Sequence, residues 1–123
     1  MNGSTQIIGK KGEDLAEKYL QNKGYTIIER NYRSKLGEID IIAMDENTTV
    51  FVEVKTRKSN KYGQPKESVN RSKQKKLSIN ALLYLKQKKA LNKKARFDVI
   101  SINNHNKSPK IELIQNAFEL TYK

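Results

Sequence analysis

The chain has no cysteine, no tryptophan, a single histidine and two prolines in 123 residues. Without cysteine there is no disulfide framework, no thiolate metal site and no cysteine nucleophile. The lone His105, in the Asn-rich run NNHNKSP, excludes the two-histidine zinc signatures and is not expected to act as a general base. No apolar run approaches the roughly 18 residues of a membrane span. The N-terminal MNGSTQIIGKKGED has no signal-peptide core, so a soluble, cytoplasmic protein away from membranes is expected. Large apolar residues are scarce too. Leu, Ile, Val and Phe fill 30 of 123 positions, just above the level of about 20% below which a highly charged chain stays unfolded. This composition fits a single thin-cored domain over residues 1–123.

Positive charge is abundant and unevenly placed. The formal net charge is +12; residues 57–123 hold 17 Lys and Arg against 4 Asp and Glu, whereas residues 1–56 hold 8 against 9. A strongly basic half-chain points to a polyanionic partner, nucleic acid first, because each phosphate contact releases condensed counterions. A basic surface that is merely well solvated is the alternative.

The patterning predicts an α/β architecture. Ile8, Gly12, Leu15, Ala16, Tyr19 and Leu20 make one stripe of an amphipathic helix, which should end near Gly24. YTIIERNYRS reads as a strand, and LGEIDIIAMDENTTVFVEVKTR as two strands around a turn at Asp45-Glu46-Asn47. Residues 58–67 read as a polar loop. Ser68 or Asn70 is expected to cap a second helix running to about Leu91, with Leu77, Ala81, Tyr84 and Leu85 facing inward. RFDVISI is a further strand, NNHNKSP a turn and KIELIQNAF a last strand. The order is α-β-β-β-α-β with one more strand, a mixed sheet flanked by helices.

Acidic residues inside this pattern carry the chemical signal. Alternation along a strand puts Glu53 and Lys55 on one face with Phe51 and Arg57, and Val50, Val52 and Val54 on the other. Asp40 shares a face with Glu38 and Ile42, opposite Ile39, Ile41 and Ala43. In a hairpin, Asp40 and Glu53 come close. Two carboxylates among apolar residues are costly unless compensated, and a divalent cation compensates well. Mg²⁺ takes one or two carboxylates and shares the substrate's phosphate, while Lys55, one pleat away, can orient water or stabilise a phosphorane. Taken alone, E-x-K on a strand is ordinarily a solvent-facing ion pair.

The chain resembles the YraN family of endonuclease-like proteins through GKKGEDLAEKYLQNKGY, RNYRSKLGEIDIIA, VFVEVKTRKSNKYGQPKESVNRSKQKKL and FDVI, and the resemblance implies a domain core over about residues 8–118. More broadly, Asp40…Glu53-Val54-Lys55 is similar to the PD-(D/E)XK signature of restriction-endonuclease-like nucleases. The layout is also similar to archaeal-type Holliday-junction resolvases, and Ile39 stands where that signature has proline. The resemblance implies a metal-dependent DNA endonuclease using Mg²⁺ or Mn²⁺, directed at branched or distorted DNA, with a homodimer as the resolvase-like arrangement. It implies Asp40 and Glu53 as metal ligands with the Val54 carbonyl, Lys55 as the water-positioning residue, and Glu13 as an acid from the first helix. Gln74 is implied as the polar residue of the second helix, and Glu38 as a lesser acid beside the metal. An ordinary helix-start acid at Glu13 and a solvated Gln74 are the plain alternatives.

Nucleic-acid contacts are expected from Arg57, Lys58, Lys61 and Tyr62 in the loop after E-x-K, from Arg71, Lys73, Lys75 and Lys76 at the start of the second helix, and from Arg33 and Lys35 before Asp40. Lys86, Lys88, Lys89, Lys93 and Lys94 read as a solvated face without a role in chemistry. Asp98 reads as a strand-edge ion-pair residue. Two other functions fit the composition: a nucleic-acid-binding protein on a nuclease fold that does not cleave, and a basic RNA- or ribosome-associated accessory protein.

Overall fold

A computed structural model describes residues 2–57, 69–103 and 109–119, and among these the side chains of 11–56, 69–103 and 109–119. The expected loop at 58–67 and most of the NNHNKSP turn lie outside the described residues. Helix α1 spans Asn2–Asn22. The Tyr25 N–H closes its end on the Leu20 carbonyl at 2.9 Å, and Gly24, at φ +95°, supplies the left-handed turn. Strands β1 (Thr26–Ser34), β2 (Gly37–Asp45) and β3 (Thr48–Arg57) follow as a meander. Helix α2 (Arg71–Gln87) crosses to β4 (Ala95–Asn103), and β5 (Lys110–Phe118) completes the sheet. The sheet order is β1-β2-β3-β4-β5, antiparallel throughout except for the parallel β3–β4 pair. That one parallel pair is why a helix must separate β3 from β4. The expected mixed α/β order is the observed one.

Both faces of the sheet are buried. Under α1 lie Ala16, Leu20, Tyr25, Ile41, Ala43, Val50, Val52, Ile100 and Ile102. Under α2 lie Ile39, Ile42, Phe51, Val69, Leu77, Ala81, Tyr84, Leu85, Phe97 and Val99, with Phe51 edge-on to Tyr84 at 5.9 Å. Doubly covered central strands let a chain with few large apolar residues still bury a core. Three expectations need correction. Helix α2, capped by Asn70 as one expectation had it, stops at Gln87 rather than near Leu91, because Lys89 turns left-handed at φ 55° and the Ala90 N–H returns to the Leu85 carbonyl. Asp98 is ion-paired with Arg96, yet it lies on an interior strand and is fully buried. Ile39 does not share a face with Ile41: it packs under α2, and Ile41 under α1.

The last correction locates a change of face in two strands at once. On β1, Arg30 reaches toward α1 while Tyr32 packs on the α2 side; their partners on β2 are Ile41 and Ile39. Between them stand Asn31, left-handed at φ 55°, and Asp40. Asparagine tolerates this backbone region better than most residues, and it lets the hairpin twist sharply where Asp40 sits.

Candidate functional site

Strands β2 and β3 pair from Asp45↔Thr48 to Ile41↔Val52, while β3 continues along β4 as far as Arg57↔Asn103. Beyond Ile41 and Val52 the two strands part. In the opening, the Val54 N–H donates to Asp40 Oδ2 at 2.8 Å, a side chain taking the place of a neighbouring strand. Asp40 and Glu53 lie side by side, close enough for a protonated Asp40 to hydrogen-bond to Glu53. Burial first, then the negative charge of Glu53, pushes the Asp40 carboxyl up to about 8, against the pull of the Val54 N–H.

Two ammonium groups meet Glu53, whose side chain is 8% exposed. Lys55 Nζ is 3.4 Å from Glu53 Oε2, and Lys73 Nζ, reaching down from the first turn of α2, contacts the same oxygen. Their environments separate them. Burial, reinforced by the neighbouring Lys73, holds Lys55 below its ordinary value. Burial also works against charge on Lys73, but its hydrogen bond to Glu53 and the attraction of Glu53 and Asp40 outweigh this and hold it above. The site therefore contains one persistently charged ammonium and one that yields its proton more readily.

Glu13 and Glu38 complete the acidic side. One carboxylate oxygen from each of Glu13, Glu38 and Asp40 lies within 4.8 Å of the other two. Glu13 is brought there by a close approach of α1 to the sheet. A Cβ on Gly12 would stand 2.5 Å from Thr56 Oγ1, so only glycine fits without movement. Arg30 then holds Glu13 Oε1 at 3.2 Å, with Asp14 at 2.7 Å and Glu17 at 3.5 Å. The donors are all hard carboxylate oxygens, a set suited to Mg²⁺ or Mn²⁺ rather than to softer metals.

Of the residues expected at the site, Asp40 lies beside Glu53, which pairs with Lys55, and it also groups with Glu13 and Glu38; Glu53 is not a member of that acidic trio. Val54 enters through its N–H. Gln74 does not reach this group: its Nε2 donates to the Val69 carbonyl at 2.8 Å, within the entry to α2. Lys73, expected to bind phosphate, is the α2 residue that reaches Glu53. Arg33 pairs with Glu38 at 3.3 Å while remaining 76% exposed. Lys35, Arg71, Lys75 and Lys76 are exposed. Lys58, Lys61 and Tyr62 lie outside the described residues, as does the side chain of Arg57. Sequence reasoning missed Arg30. Its signal was the spacing of Glu13 and Glu17, one helical turn apart and so able to face one cation.

Comparison with known proteins places the chain. The family model described as "Uncharacterised protein family UPF0102" matches residues 12–102. A "UPF0102 protein" of Geobacter metallireducens is 52% identical over 122 residues, covering 99% of this chain and 100% of its own. One from Clostridium botulinum is 51% identical over 124 residues, covering 98% and 100%. One from Syntrophus aciditrophicus is 50% identical over 114 residues, covering 93% and 90%. With the family model spanning most of its length and relatives of this identity matching it nearly end to end, the chain belongs to the UPF0102, or YraN-like, family.

Proposed function

We propose that this chain is a divalent-metal-dependent endonuclease of the PD-(D/E)XK type that hydrolyses phosphodiester bonds in DNA, with branched or distorted DNA as the preferred form. The observation that carries the reading is the convergence of Asp40, Glu53 and Lys55 in the opening between β2 and β3. Asp40, Glu53, Glu13 and the Val54 carbonyl are the residues that would hold the ion, with Glu38 beside them. A bound Mg²⁺ or Mn²⁺ would supply Lewis acidity at the scissile phosphate. The chain's own groups do the rest. Beside such a cation Asp40 and Glu53 would both be ionised, the proton of Asp40 passing to solvent. Lys55, which burial holds below its ordinary value, positions the attacking water. Lys73 keeps its charge and balances the oxyanion that develops on phosphorus. Arg33, Lys35, Arg71 and Lys76 hold the flanking phosphates.

A second reading, nucleic-acid binding without cleavage, draws on one observation: Lys55 and Lys73 already neutralise Glu53, so the fold closes without a cation. Purified protein incubated with supercoiled, linear, single-stranded and four-way-junction DNA, with Mg²⁺, Mn²⁺ or chelator, separates the two. Metal-dependent cleavage lost in both Asp40→Asn and Lys55→Ala is the expected result, with rates down by several orders of magnitude (about 10³-fold or more) and DNA binding retained. Binding with no cleavage under either metal would leave the second reading standing.

A further inference from the structure

Residues 86–94, KQKKALNKK, hold five lysines and no acid. Lys86, Lys88, Lys89, Lys93 and Lys94 are all exposed. The ion pairs of lysine among the described residues belong to Lys55 and Lys73, and none joins these five to a described acid. The segment is nevertheless held in place. The Lys89 N–H donates to the Lys86 carbonyl, the Ala90 N–H to Leu85, the Lys93 N–H to Ala90, and the Thr49 N–H of β3 to the Lys94 carbonyl at 2.9 Å. Lys89 occupies a left-handed position, φ 55°, that glycine or asparagine would fill with less strain. The charge of the α2 C-terminus accounts for Lys86, in its last turn. It does not account for Lys93 and Lys94, which overhang a hollow where Glu46 is the one acid.

Lys88 lies over the Tyr84 ring at 5.7 Å, but five lysines held this closely with no described acid paired to them still repel one another, and a polyanion relieves that repulsion. We propose that this segment is a second phosphate-binding surface that grips the backbone of a double-stranded arm of the substrate, away from the site of cleavage. The proposal rests on the nuclease reading for the identity of the polyanion, DNA. Two observations favour a duplex. Among the described residues no aromatic side chain is exposed, so the stacking platform that a single strand requires is lacking there. Lys75 and Lys86, 11 residues apart, lie along one outer line of α2, which carries charge from the acidic site toward the cluster. Lys73 and Lys86 are 13 residues apart on that helix, about 20 Å, or about six base pairs of duplex.

The test is fluorescence anisotropy with a labelled DNA duplex of about 30 base pairs, in chelator, across a salt series. Lys93→Gln/Lys94→Gln is compared with Lys18→Gln/Lys23→Gln, which removes the same charge from α1 and the turn after it. The cluster variant should weaken binding about tenfold and reduce the slope of log K against log salt by nearly 2, about 0.9 for each phosphate lost. The control should move the slope by less than a third of that. Equal effects in the two variants would show bulk charge at work and overturn the proposal. So would tighter binding of a double-stranded RNA, a single strand or poly-glutamate than of the DNA duplex. Because cleavage is not read, a patch-dependent slope in a protein that never cuts would sink the nuclease reading and leave this one standing.

Discussion

A carboxyl group buried beside another carboxylate keeps its proton into the neutral range, and this gives Asp40 a measurable signature. Its folded value is about 8 against an ordinary 3.8. Between those limits the folded chain retains a proton that the unfolded chain has released. Stability therefore falls as pH rises from about 4 to about 8 and levels off beyond. Thermal melts at pH 6 and pH 9 should show wild type losing stability and Asp40→Asn losing much less. Mn²⁺ should restore the wild-type melting temperature at pH 9 and leave the variant unmoved. Gly12 makes a second residue-scale case. Gly12→Ala should destabilise by about 1 kcal/mol, since the new Cβ displaces Thr56 Oγ1. In a Thr56→Ala background the same change should instead stabilise by about 0.5–1 kcal/mol, the helix propensity gained. Urea melts of the four proteins close that cycle. The place of Gly12 on the inward stripe of the first helix was legible in the sequence. The division of roles between Gln74 and Lys73 was not. Helical spacing aligns Gln74 with Leu77 and Ala81, but a first-turn amide can satisfy itself on the backbone that precedes the helix, whereas a long lysine reaches across.

At the scale of elements, the ends of the sheet differ in kind. The end opposite the acidic opening is closed by a network around Asp98. Its Oδ1 accepts from Arg96 Nε at 3.0 Å and from the Asn116 N–H at 2.9 Å, and its Oδ2 accepts from the Tyr25 hydroxyl at 2.9 Å. Arg96 also reaches Asp45 at 2.8 Å, and Gln115 donates to the Tyr25 hydroxyl. The Asn116 contact falls in the irregular stretch where β5 slips register against β4. Removing the carboxylate strands several buried donors at once. Asp98→Ala should cost about 3–5 kcal/mol, and hydrogen exchange should quicken in β5 more than in β2 and β3. The sequence foretold the turn between the second and third strands at Asp45-Glu46-Asn47, the second helix and the order of elements along the chain, because turn chemistry and apolar period agree there. It did not foretell the change of face at Asn31 and Asp40. Strict alternation assumes extended backbone throughout, and one left-handed residue breaks it. The early end of α2 escaped for the same reason: Leu91 continues the helical spacing, and Lys89 gives no glycine signal.

For the molecule as a whole, a net charge of +12 on 123 residues is a standing cost of self-repulsion. Raising NaCl from about 20 to about 200 mM at pH 7 should therefore raise the melting temperature by a few degrees, and a short DNA duplex at low salt should raise it further. Composition made this imbalance plain at once. Composition could not show that four acids of the first half of the chain, Glu13, Glu38, Asp40 and Glu53, are drawn toward an opening rimmed by lysines and arginines, which depends on how the strands pair. A melting temperature sums over every such interaction. One atom offers a local reading instead. The amide hydrogen of Val54 rests on the Asp40 carboxylate rather than on a neighbouring strand, so its NMR resonance should shift when that carboxylate is protonated or captured by an ion, reporting occupancy from the backbone with no label attached.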